Sequence, residues 1–194
     1  MFYKFAMVVI KIVSFFCFRI KIVGTENIPK EGGIILAVNH RSNLDPVLAG
    51  LSCPRPLTFM AKSELFENPL FGRLITALGA FPVHRGSGDI GAMRTAFSIL
   101  EGGRVMLIFP EGHRVKDGEK TKAQPGIAMI AQKTKAPVIP VYIEGKLRWL
   151  SKITIHYGKP VDLSGYYGKR ISSAECQEIA DKILSEMYAL KGKE

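Results

Sequence analysis

The chain opens on an apolar stretch in which, from Phe2 to Phe18, only Tyr3, Lys4, Lys11 and Ser14 are polar. Wound as a helix, this segment is roughly 25 Å long at 1.5 Å per residue, and it falls short of the about 20 apolar residues that a membrane span needs. Lys4, Lys11 and Ser14 recur at helical spacing, which predicts one narrow polar stripe. Phe5, Val8, Val9, Ile12, Phe15 and Phe16 cover the rest. A spanning helix would put Lys11 near mid-bilayer. The pattern therefore predicts a helix lying in the interface, its lysines snorkelling to anionic head groups. A core helix is the competing reading. A secretory signal is disfavoured, because Phe18-Arg19-Ile20-Lys21 stands where a small-residue cleavage site would follow.

Beyond the polar turn Gly24-Thr25-Glu26-Asn27 the pattern changes. Short apolar runs at 34–38, 57–60, 80–83, 104–109, 138–143 and 153–157 read as strands, and segments 46–51, 69–78, 90–100, 126–133 and 172–190 carry apolar residues at helical spacing. This alternation predicts a single α/β domain with a largely parallel mixed sheet flanked by helices. Residues 1–18 are assigned to the membrane-associated helix and 19–194 to the domain, whose motif-bearing part is 34–145.

Composition narrows the function classes. With 194 residues, 47% of them hydrophobic, the chain can bury a core and is neither disordered nor fibrous. Its formal charge of +10 selects an anionic partner: nucleic acid, anionic lipid or an acidic protein. Nucleic acid loses ground because no recognition helix, RNP-like aromatic set or zinc spacing occurs. Cys17, Cys53 and Cys176 make no CxxC pair, so neither a disulfide scaffold nor a thiolate metal site is expected.

In such folds ligands gather where strands end and helices begin. At the first junction the run 34–38 delivers Asn39-His40-Arg41-Ser42-Asn43-Leu44-Asp45-Pro46. Asp45-Pro46 has the form of a helix cap followed by a proline in the first turn. Alternatively, the Asp45 carboxylate holds one nitrogen of His40 and leaves the other to take a proton from a substrate hydroxyl. No G-x-S-x-G elbow supplies a hydroxyl nucleophile in the chain itself. At a second junction Lys62 and Arg85 both follow apolar strands, and two cations on one sheet edge form a plausible phosphate clamp. Gly86-Ser87-Gly88-Asp89-Ile90-Gly91 matches a dinucleotide fingerprint, with Glu111 in the place of its ribose acid. Pro82 and His84 in the preceding strand, and Asp89 facing the pyrophosphate, favour a glycine turn with Asp89 at a helix start instead. A third junction brings Glu111 and Gly112 into a charged loop, where the carboxylate can accept hydroxyl hydrogen bonds and the glycine lets a substrate approach.

Four ordered blocks, NHRSNLD, GAFPVHR, FPEGHR and VIPVYI, together with KSELF, resemble the glycerolipid acyltransferases typified by 1-acylglycerol-3-phosphate O-acyltransferase, over about residues 34–145. The resemblance implies that His40 is the general base and Asp45 its orienting partner, in an H-x4-D box. It further implies that Arg85 and Lys62 bind the acceptor's phosphate, and that Glu111 and Gly112 help hold its glycerol part. One position departs: the family has Thr or Ser after Glu-Gly, and this chain has His113. The implied reaction carries a fatty acyl group from acyl-CoA or acyl-carrier protein to the sn-2 hydroxyl of lysophosphatidic acid, giving phosphatidic acid. No cofactor or metal beyond the thioester co-substrate is expected. The expected partners are an anionic membrane surface at the cytoplasmic face, a lysophospholipid acceptor and the thioester donor. A different lysolipid head group, or a non-enzymatic basic membrane-binding protein, stands as the alternative.

Overall fold

The structure is a computed structural model and describes residues 2–84, 89–116, 119 and 121–192. The helix α1 (Phe2–Cys17) passes directly into β1 (Phe18–Val23). Then come β2 (Ile34–Val38), α2 (Asp45–Ser52), β3 (Leu57–Lys62), α3 (Pro69–Ala77), β4 (Ala80–Val83), α4 (Ile90–Glu101) and β5 (Val105–Ile108). The chain closes with α5 (Gly126–Thr134), β6 (Val138–Glu144), β7 (Ser151–Tyr157) and α6 (Ser173–Tyr188).

Among the described residues seven strands form one sheet in the order β1-β7-β6-β2-β5-β3-β4. From β6 to β4 every pairing is parallel. β7 runs antiparallel to β6, and β1 follows β7 in parallel register. β1 was hidden from sequence reading because Phe-Arg-Ile-Lys-Ile-Val continues the apolar run before it. From Phe18 to Ile22 its apolar and charged residues nonetheless alternate with a period of two, as in an edge strand.

β2 lies at the centre, and all five of its residues are buried. A parallel strand covered on both faces reads as such an unbroken apolar run. On one face Ile35 and Ala37 pack with Met106 and Val138 under α4, α5 and α6. On the other Ile34, Leu36 and Val38 pack with Leu107, Val141 and Ile155 beside Leu48 and Ala49 of α2. Fully burying one such Ile or Leu stabilises the fold by roughly 1.5–3 kcal/mol relative to leaving it exposed.

α1 leans on the second face. The Tyr3 hydroxyl accepts from the Leu57 amide at 3.1 Å, and Ser14 is buried. Ser14 therefore leaves the predicted polar stripe: it faces the body while Lys11 stays in solvent. Phe5, Val8, Val9, Ile12, Val13 and Phe16 form the outward stripe, with Phe5 67% and Phe16 62% exposed. Among the described residues no helix is long and apolar enough to cross a membrane.

The connections place a crevice. β2 leads into α2 on one face, while its neighbour β5 leads toward α5 on the other. The loops after these two strands diverge at their carboxyl ends, which is where open α/β sheets bind ligands.

Candidate active site

The residues around His40 are tied to the end of β6. The Asn39 side chain, buried, accepts from the Ile143 amide at 2.7 Å and donates to the Ile143 carbonyl at 3.1 Å. The Arg41 guanidinium donates to the Ile143 and Gly145 carbonyls at 2.9 and 2.8 Å. Main-chain groups past the sheet ladder thus gain partners, and the polar segment after β2 gains a fixed path.

His40 Nδ1 lies 3.0 Å from Asp45 Oδ2. The same oxygen accepts the amides of Arg41 and Ser42, each at 2.6 Å. Asp45 is the first residue of α2, not its cap; Leu44 stands there and no side chain caps the helix. The carboxylate turns back to hold its own loop and the imidazole, so the cap reading gives way to the histidine-holding one. An ionised carboxylate only accepts, which places the imidazole proton on Nδ1 and the lone pair on Nε2. Phe109 stacks on the ring, centroids 3.9 Å apart and 17° from parallel. The His40 side chain remains 12% exposed, while that of Asp45 is almost closed off.

Glu111 does not face a ligand. It is fully buried, 0% exposed; Oε2 accepts the His40 amide at 2.6 Å and Oε1 accepts the Tyr188 hydroxyl. Both oxygens are thus engaged inside the protein, where the sequence reading expected a carboxylate that helps hold a glycerol group. Burial pushes the Glu111 carboxyl above its ordinary range despite these two donors. Tyr188 is raised by burial and by its hydrogen bond to that carboxylate. Gly112 turns the chain at φ 72°, and a Cβ there would stand 2.6 Å from Gln124 Cγ. Its glycine serves the turn, with no ligand needed to explain it.

A cavity of about 910 Å³ opens beside the pair. Arg41, Lys62, Arg114, Lys116, Lys146 and Arg148 line it, with His113, and among the described residues Asp45 is the one carboxylate in its wall. Lys62 shares this wall with Arg41, Ser42 and Asp45 of the H-x4-D segment. Arg85 and most of the glycine-rich segment lie outside the described residues. Asp89, which is described, caps α4 by accepting from the Ala92 amide at 2.9 Å, as the glycine-turn reading expects. Among the described residues no group of His, Cys, Asp and Glu is arranged to hold a metal ion.

The acyltransferase family profile matches residues 19–144. The chain belongs to that family. It is 31% identical over 144 residues to the 1-acyl-sn-glycerol-3-phosphate acyltransferase of Bacillus subtilis, an alignment covering 74% of this chain and 71% of that protein. The protein of the same description from Streptococcus pneumoniae is 30% identical over 174 residues, covering 86% of this chain and 64% of that one. The crystal structure of the 1-acyl-sn-glycerophosphate (LPA) acyltransferase PlsC from Thermotoga maritima superposes with a TM-score of 0.70 at 26% identity, covering 98% of this chain and 82% of that one. The acyltransferase thus has the fold and the relatives that its four motif blocks imply.

Tyr188, Asn39, Arg41 and Phe109 escaped sequence reading as site residues. Tyr188 sits on an amphipathic helix, where a tyrosine looks like ordinary core. Asn39 and Arg41 belong to the quoted NHRSNLD block, and their polar side chains directly after a fully apolar strand were the available signal.

Proposed function

We propose that this acyltransferase moves a fatty acyl group from a thioester donor, acyl-CoA or acyl-carrier protein, to the free sn-2 hydroxyl of lysophosphatidic acid, giving phosphatidic acid. The observation that carries the reading is the Asp45-held imidazole of His40 beside a cavity with six Lys and Arg side chains in its wall. The donor is already activated, so no acyl-enzyme is needed. His40 Nε2 takes the hydroxyl proton as the oxygen attacks the thioester carbonyl, and Asp45 stabilises the imidazolium. The tetrahedral adduct collapses with cleavage of the C–S bond, and the imidazolium returns the proton to the departing thiolate. General-base assistance of this kind is worth about 10² to 10⁴ in rate.

Lys62, with its neighbours in the cavity wall, binds the acceptor's phosphate, and the family resemblance gives Arg85 the same task. Glu111 and Gly112 act from behind, Glu111 by fixing His40 and Gly112 by turning the loop that carries His113 and Arg114. No cofactor takes part beyond the thioester co-substrate.

The enzyme works at a membrane, on its cytoplasmic face, seated by the outward stripe of α1. That stripe is apolar and solvent-facing, and Lys11 beside it can reach lipid phosphates. His113 in the cavity wall, where the family has Thr or Ser, supports a second acceptor with another head group.

The deciding measurement is thioester consumption with both donors and a panel of lysophosphatidic acid, lysophosphatidylglycerol and lyso-ornithine lipid, run beside His40→Ala. Turnover should be greatest with lysophosphatidic acid and should vanish in the variant while the fold persists. Wild-type-like turnover in His40→Ala would remove the mechanism, and turnover confined to another lysolipid would replace the acceptor.

A further inference from the structure

The loop joining β6 to β7 has two sides of opposite character. Lys146, Leu147 and Arg148 line the cavity, whereas Trp149 is 72% and Leu150 52% exposed. The loop is held in shape. The Ser151 hydroxyl bonds to the Lys146 carbonyl and to the Arg148 carbonyl at 2.7 Å. Leu150 adopts φ 56°, a left-handed conformation that a leucine disfavours, and its side chain points where water meets it. Two large apolar groups fixed in solvent on a strained turn are unexplained by packing.

Their position relates them to α1. The Leu150 amide donates to the carbonyl of Cys17, the last residue of that helix, at 2.7 Å. Trp149 and Leu150 therefore adjoin the end of the outward stripe that finishes at Phe16. Cations surround this corner. Arg19 of β1 and Lys152 of β7 are register partners, both exposed, so two like charges stand side by side. Such a pair is repulsive in water and is relieved against an anionic surface.

We infer that the 145–150 loop is a second contact with an anionic lipid bilayer, in which Trp149 and Leu150 enter the interfacial layer beside α1. Tryptophan suits this level because its ring is apolar and its N–H finds a polar partner there. Lys146 and Arg148, on the same short loop, then stand at the depth of the lipid phosphates. The cavity mouth meets the membrane at that depth, and a lysolipid enters it without leaving the bilayer. The inference rests on the membrane-seated reading above.

Trp149 is the chain's one tryptophan, so its emission reports this loop alone. The full chain is mixed with vesicles of phosphatidylethanolamine and phosphatidylglycerol, and sedimentation and emission are read together. Bound protein should show a blue shift, several-fold weaker iodide quenching, and strong quenching by lipids brominated high on the acyl chain. Protein that sediments with unshifted, iodide-accessible emission overturns the loop contact and leaves α1 attachment standing. Protein that does not sediment overturns both. A blue shift that grows with protein concentration without vesicles assigns the surface to a second copy and also overturns the proposal.

Leu150→Asn gives a separate readout, since asparagine tolerates the left-handed conformation. It should keep or raise thermal stability, weaken vesicle binding about tenfold, and slow turnover of vesicle-borne acceptor. Turnover of a monomeric short-chain lysophosphatidic acid should be unchanged. Equal losses on both substrates, or unaltered vesicle binding, would overturn the contact.

Discussion

Glu111 holds His40 by its main chain, not by its ring: Oε2 accepts the His40 amide at 2.6 Å, and the other oxygen takes the Tyr188 hydroxyl. The imidazole is thus fixed twice, by Asp45 through Nδ1 and by Glu111 through the backbone. The two carboxylates come from different strands' loops and divide the work, one orienting the ring and one locating its Cα.

Tyr188→Phe removes the donor that helps Glu111 stay ionised while leaving the ring in place. The expected cost is about 1–3 kcal/mol of stability, the range for a buried charged group that loses a partner. Urea denaturation reads this, and kcat should fall several-fold with acceptor KM nearly unchanged, because the residue acts only by positioning His40.

Glu111→Gln should flatten the pH dependence of stability. The folded carboxyl is raised above its ordinary value, so its contribution is fully present below about pH 4.5 and is lost as pH rises through the raised value. Stability of the variant relative to wild type should therefore increase with pH across that window. Urea midpoints from about pH 4 to about pH 8 test the sign, and a difference that shrinks with pH would contradict it.

Asp45→Asn takes away the charge that stabilises the imidazolium and frees Nδ1 to lose its proton. A fall of about 10² to 10⁴ in kcat is expected, with little change in acceptor KM. Circular dichroism should show the fold retained, since asparagine can still accept from the Arg41 and Ser42 amides.

Lys62→Ala should act on binding. Lys62 is exposed in the cavity wall, so the loss is screened, and acceptor KM should rise about three- to tenfold with kcat kept. Raising salt should reduce the difference between variant and wild type.

Ile12→Glu puts a charge on the outward stripe of α1, where the side chain is 55% exposed. Vesicle co-sedimentation should weaken about 10- to 100-fold, matching the roughly 1.5–3 kcal/mol of a buried aliphatic side chain. Thermal stability in solution should not change.

What the sequence made legible follows from where the information is local. The central strand is visible because Ile34 to Val38 has no polar residue to alternate with. The helix α3 is visible because segment 69–78 carries apolar residues at helical spacing, and the structure adds the cap, the Asn68 side chain accepting the Leu70 and Phe71 amides. The H-x4-D spacing is likewise local, five positions that one turn of loop brings together. The orientation of Glu111 was not local. Whether a carboxylate after a strand looks outward or inward depended on Tyr188, which is 77 positions away. Ser14 was misassigned for the same reason, since periodicity gives a helix face without saying which neighbour covers it. The reversed direction of β7 and β1 also depends on strand pairing rather than on any residue in them.

The groups that fix His40 and its flanking residues are widely spread in the chain: Asp45 and Glu111 bond His40 itself, the Ile143 carbonyl accepts from Asn39 and Arg41, and Tyr188 donates to Glu111. On the ribosome β2 emerges long before the last of these. A nascent chain halted short of α6 holds the histidine and its aspartate, but its Glu111 lacks the Tyr188 hydroxyl that Oε1 accepts. The hydrogen-bonded support behind His40 is therefore completed only when translation has passed Tyr188 and α6 can dock.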